Sequence, residues 1–116
     1  MPTVVQNQVA DRVGVSGPIT FFEKMSSNTM SPWFALDGIR PWSVTVRWAS
    51  VNPFTVRLYV TNNPHPVEGD TSEPQLGEDI TEQAALAFET AWKFVAAQLV
   101  TLPNQPPDVS AYLLIG

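Results

Sequence analysis

Eleven prolines punctuate this 116-residue chain, at positions 2, 18, 32, 41, 53, 64, 66, 74, 103, 106 and 107. Each lacks a backbone N–H and resists the interior of a helix, so prolines this closely spaced exclude a helix bundle. Most intervals between them suit one short strand and its turn, which points to an antiparallel β-sandwich of seven or eight strands, jelly-roll or Ig-like. The long exception is 75–102, which holds no proline. Hydrophobic residues make up 44% of the chain, enough for a core, and no linker or repeat divides it. The expected organisation is an N-terminal arm or edge strand over 1–16 and one β-sandwich domain over 17–116.

Charge is scarce, at 15% of residues against the ~25% of an average domain. The net charge is −5, and Glu68, Asp70, Glu73, Glu78, Asp79 and Glu82 fall within 61–82, a stretch with no base. A phosphate backbone is bound by clustered Lys and Arg that release counterions, so nucleic acid is not the expected partner. The longest strictly apolar run, Ala84 to Phe88, is far short of the ~18 residues of a membrane span. The opening residues show no basic stretch followed by an apolar one, so no secretory leader is expected. The absence of Cys removes disulfides, thiolate nucleophiles and Cys-based zinc sites.

The clearest strand is Trp42 to Ala49, where Trp42, Val44, Val46 and Trp48 alternate with polar or small residues. Phe54 to Thr61 repeats the pattern, with Phe54, Val56, Leu58 and Val60 on the apolar face. A five-residue connection ending at Pro53 suggests an antiparallel hairpin. Its favoured register pairs Trp48 with Phe54 and Val46 with Val56, which spares Arg47 from facing Arg57. Thr3–Val9, Ile19–Lys24, Trp33–Leu36 and Val109–Ile115 are further strand candidates. In 80–102, Ile80, Ala84, Phe88, Ala91, Val95, Leu99 and Leu102 recur at helical spacing, yet 84–88 and 92–101 also read as two strands with a turn near Thr90-Ala91. Periodicity leaves both open.

Residues able to carry chemistry are few. His65 is the single histidine, between Pro64 and Pro66, and no Gly-x-Ser-x-Gly elbow accompanies it. The acidic stretch lacks the Asp-x-Asx-x-Asx-Gly order of a calcium loop and reads as a solvated surface loop, with docking to a basic partner, metal binding and paired-carboxylate catalysis as lesser readings. No catalytic, metal or cofactor site is therefore expected. Trp42 and Trp48 belong to a core face, whereas Trp33 and Trp92 sit near strand starts and Tyr59 lies outward beside Arg57. Together with Val4 and Val5 in the N-terminal arm, Trp33, Tyr59 and Trp92 are the expected interface residues. Exposed on one face, the three aromatics would instead make a sugar-binding platform.

The order of features resembles a group of small β-sandwich proteins of tailed-bacteriophage virions. The residues that carry the resemblance are Trp33-Phe34-Ala35-Leu36, Arg40-Pro41-Trp42-Ser43-Val44, Thr61-Asn62-Asn63, Gln75-Leu76-Gly77, Trp92-Lys93-Phe94-Val95 and Ala111-Tyr112-Leu113-Leu114-Ile115-Gly116. They span about residues 30–116; the alanine-rich 84–91 and the turn at 104–108 depart from the pattern. The resemblance implies strands rather than a helix over 80–102. It also implies a non-enzymatic structural component of the virion, assembled in the host cytoplasm. Such a component binds a capsid or tail lattice, with capsid decoration favoured over a neck or tail adaptor. Other virion proteins and further copies of the chain are then the expected partners, with no cofactor, nucleic acid or membrane.

Overall fold

Alternation of apolar and polar residues becomes strand throughout. The computed structural model describes residues 18–36 and 40–116, and its elements are β1 (Ile19–Met25), β2 (Thr29–Met30), β3 (Phe34–Ala35), β4 (Trp42–Trp48), β5 (Phe54–Thr61), β6 (Ala84–Phe88), β7 (Phe94–Thr101) and β8 (Val109–Ile115). No helix occurs among the described residues, and 80–102 forms β6 and β7 with the break at 89–93. The expected arm at 1–16 lies outside the described residues.

The strands form two antiparallel sheets, one in the order β1-β8-β4-β6 and one in which β7 is flanked by β2 and β3 on one side and β5 on the other. Beyond β5, residues 74–80 run along its outer edge: Val60 N donates to Pro74 O, Leu76 N to Leu58 O, and Ile80 N to Val56 O. With that segment counted, the second sheet reads β2/β3, β7, β5, 74–80. These two orders are the connectivity of a jelly roll.

The expected β4–β5 hairpin is corrected. β4 pairs with β6 and β8, while β5 pairs with β7, so the 49–53 connection crosses from one sheet to the other. The apolar faces of β4 and β5 meet across the core instead of side by side. Trp48 and Phe54 do touch, with ring centroids 5.2 Å apart, but as a contact between sheets. Trp48 Nε1 donates to Asn52 O at 3.0 Å and Asn52 Nδ2 to Pro106 O at 3.0 Å, which fixes the crossing. Arg47 faces Ser110 and Arg57 faces Gln98, so the like-charge conflict never arises.

Between the sheets lie Val44, Val46, Val56, Leu58, Val60, Val95, Ala97, Leu99, Val109, Ala111 and Leu113, each at most 1% exposed. At roughly 25 cal/mol per Å² of apolar surface removed from water, this layer dominates the stabilisation. Polar groups that enter it are bonded. Ser31 is buried in the break that Pro32 makes between β2 and β3, where its Oγ accepts from Ala97 N at 3.0 Å. The hydroxyl thereby replaces a ladder partner and avoids the cost of an unmade buried bond.

Candidate interaction surfaces

β3, β7 and β5 bring two of the expected interface residues into one row. Phe34 pairs with Val95 and turns inward onto Phe21, with ring centroids 5.7 Å apart, so Trp33 one step earlier lies level with Ala96 on the outer face. Tyr59 pairs with the same Ala96 from the other side. The row is not open to a partner, however. Val67, Glu68, Gly69 and Asp70 form a turn in which Asp70 N donates to Val67 O, and Gly69 at φ +84° supplies the positive φ a type II turn needs at its third residue. Trp33 Nε1 donates to Val67 O at 2.8 Å, tying this loop across the sheet from the β5 side to the β3 side. Ala96 is fully buried and Tyr59 is 6% exposed, its hydroxyl bonded to Gln98 Oε1 at 3.0 Å.

The expectation that Tyr59 is an exposed anchor is therefore corrected: alternation placed it outward, and a loop 64–72 residues into the chain lies over it. Trp92 stands apart, half-buried against the core near the β6–β7 crossing, with Nε1 donating to Thr90 Oγ1 at 3.2 Å. Trp33 is likewise half-buried. The three aromatics do not form one exposed stacking platform. Val4 and Val5 lie outside the described residues.

The acidic stretch divides into two parts. Its first part is loop, where Asp70 Oδ1 accepts from Ser72 N and Oγ, bonds that hold its carboxyl below the ordinary range. Its second part is the strand-like 74–80, which sequence periodicity missed because Pro74 and Gly77 interrupt the alternation. There Asp79 accepts from Gln75 Nε2 at 2.8 Å and from Arg57 Nε at 3.1 Å. The Gln75 bond first, and Arg57 second, lower the Asp79 carboxyl, and Asp79 in turn raises Arg57. Among the described residues no group of three His, Cys, Asp or Glu converges as a metal site. His65 is exposed in the same loop.

Because the folded-state carboxyl of Asp79 is lowered, its contribution to stability is present above the unfolded pKa, near 4, and is lost as pH falls through the lower folded value. Asp79→Asn is expected to remove that contribution at neutral pH, a small one because the pair is exposed and screened, and so to flatten the acid limb of a Tm-against-pH profile below about pH 4 by the same amount, the two proteins converging in acid. An unchanged acid limb would remove Asp79 from that account.

The outer face of the other sheet is polar and shallow. A groove of about 610 Å³ runs past Lys24, Arg47, Trp48, Gln83, Ser110 and Tyr112. Tyr112 Oη donates to Glu23 at 2.7 Å and Lys24 N donates to Ser110 Oγ at 2.9 Å, so part of its wall is already bonded within the chain. Larger apolar side chains stand exposed outside that groove: Val51, Val67, Leu102 and, on the outer face of β8, Leu114. No described helix is long and apolar enough to cross a membrane.

No family model matches this chain, and no curated protein matches it. Among solved structures, the crystal structure of the SPBc2 prophage-derived protein YomS is similar, with a TM-score of 0.62 and 13% identity. The likeness covers 94% of this chain and 100% of that one. At this identity the shared property is the fold: a single β-sandwich.

Proposed function

We propose that this chain is a non-enzymatic structural subunit of a bacteriophage virion, bound to a capsid or tail lattice, with capsid decoration as its favoured place. The observation that carries the reading is the fold shared over the full length of a prophage-derived chain. The ordered strand and turn motifs of residues 30–116 support it independently. The mechanism is mechanical. A sandwich with a closely packed core keeps its shape while exposed apolar residues such as Val51 and Leu102 bury against neighbouring subunits. The low charge of the surface outside 61–82 limits the desolvation cost of such contacts.

Mass spectrometry of purified particles tests this directly, with copy number measured against the major capsid protein. Hundreds of copies are expected for a decoration protein, whereas about a dozen or fewer would place the chain in a neck or tail. A chain absent from the particles would overturn the proposal.

A further inference from the structure

The two sheets have four lateral edges, and three of them are blunted in the ways that keep sheets from pairing with other chains. β1 carries register shifts between Thr20 and Phe22 and between Phe22 and Met25, a positive φ at Lys24, and the exposed charges of Glu23 and Lys24. β2 and β3 are two residues each and broken at Pro32. β5 is covered by 74–80, and that segment, which is then the margin of the sheet, is interrupted by Pro74 and by Gly77 at positive φ. β6 has none of these devices. Its five residues, Ala84-Ala85-Leu86-Ala87-Phe88, contain no charge and no proline and pair with β4 in unbroken register. No described residue pairs with its other edge.

The core is also unfinished there. Inward residues of β4, β5 and β8 are almost all fully buried, yet Ala84, Leu86 and Phe88 are only half-buried although they pack on the same core. One more strand beside β6 would cover them.

We propose that the occupant of this edge is β6 of a second copy, paired antiparallel about Leu86 to give one continuous eight-stranded sheet across a two-fold axis. The sequence around Leu86 is complementary to itself in that register. Ala84 meets the partner's Phe88, small against large, on the core side; Leu86 meets the partner's Leu86; Ala85 meets the partner's Ala87 on the outer side. The flanking carboxylates avoid each other, because Glu89 lies opposite the partner's Gln83 and Glu82 opposite the partner's Thr90. Like charges opposed across strands would disfavour pairing, and this register has none. Such an isologous contact closes on itself and does not propagate.

The proposal deepens the reading of the chain as an assembling subunit but does not depend on the particle. A dimer in solution from a chain absent from virions would leave it standing, and a monomer found in virions would overturn it alone. Sedimentation of the full chain at micromolar concentrations is expected to show a dimer. Ala85→Lys with Ala87→Lys places ammonium groups opposite one another twice across the axis, and is expected to weaken association at least about tenfold. Both side chains face solvent, so circular dichroism should remain that of the parent. Ala85→Glu with Ala87→Lys opposes unlike charges in the same register and is expected to restore the dimer.

A cross-link gives a second readout that does not depend on charge. The chain has no cysteine, so mixing A85C with A87C under oxidation is expected to give a heterodimeric disulfide. A wild-type monomer, as when the chain's own N-terminal residues or another protein's strand fill the edge, would overturn the proposal. A dimer insensitive to Ala85→Lys with Ala87→Lys, or no cross-link between the two cysteine variants, would overturn it equally.

Discussion

Trp42→Ala is expected to lower the unfolding free energy by about 3–5 kcal/mol. The side chain is 3% exposed at the start of β4, stacks on Phe88 with centroids 4.4 Å apart, and donates from Nε1 to Thr90 O at 3.1 Å. It therefore holds three things at once: the inward face of β4, the half-covered strand β6, and the crossing that leads to β7. A domain of this size is stable by roughly 5–15 kcal/mol in total, so the loss is a large fraction of it. Urea denaturation followed by far-UV circular dichroism measures it without relying on the removed fluorophore. Trp42→Phe retains an aromatic ring for Phe88 but no donor for Thr90, and is expected to lose less. Equal losses for the two variants would show that the indole bond, not ring burial, dominates.

Leu99→Ala is expected to cost about 2–5 kcal/mol. Leu99 is fully buried in the middle strand of the second sheet, between Thr29 of β2 and Val56 of β5. A cavity there is bounded by strands on both sides that are fixed by ladder bonds, so the site collapses poorly and the cost should fall toward the upper part of that range. Leu114→Ala is the control. Leu114 is 40% exposed on the outer face of β8, and its truncation should change stability by no more than about 0.5 kcal/mol. If the two variants behaved alike, the assignment of inner and outer faces would be wrong.

Much of this architecture is legible in the residues. The limits of β5 and β8 are those that alternation marks, Phe54–Thr61 and Val109–Ile115, because each inward residue must be apolar. Alternation says which face a side chain takes and nothing about which strand lies beside it. Pairing Trp48 with Phe54 was therefore right as a contact and wrong as a ladder partner. The ambiguity over 80–102 arose because alanine is small enough for either period. It resolves as strand because Ala84, Leu86 and Phe88 line up against Val46, Val44 and Trp42.

The candidate surface was less legible. Trp33 and Tyr59 stand out in the sequence and do share a row, but the loop that lies over them is held by a backbone carbonyl, that of Val67, which no side-chain pattern announces. The charge of Arg57 and the acids of 61–82 were visible separately. What joined Arg57 to Asp79 was the irregular segment 74–80, whose proline and glycine hide its strand character. The edge of β6 is present in the sequence as the longest apolar run, whose composition bears on membrane spanning but does not say which strand of a sheet it becomes.

The placement of β7 and β8 bears on how the folded protein comes into being. β7 lies in the middle of one sheet and β8 between β1 and β4 in the other. While a ribosome is still adding residues 94–115, neither sheet has its centre, and among the described residues the strands already made hold only the β4–β6 pair and the join of 74–80 to β5. Closure of both sheets must therefore wait for residues 94–115 and then proceed over long sequence separations, a slow class of topology. A chain cut short before β8 would leave β1 and β4 without the strand that joins them, so interrupted synthesis would yield an open sheet exposed to proteolysis.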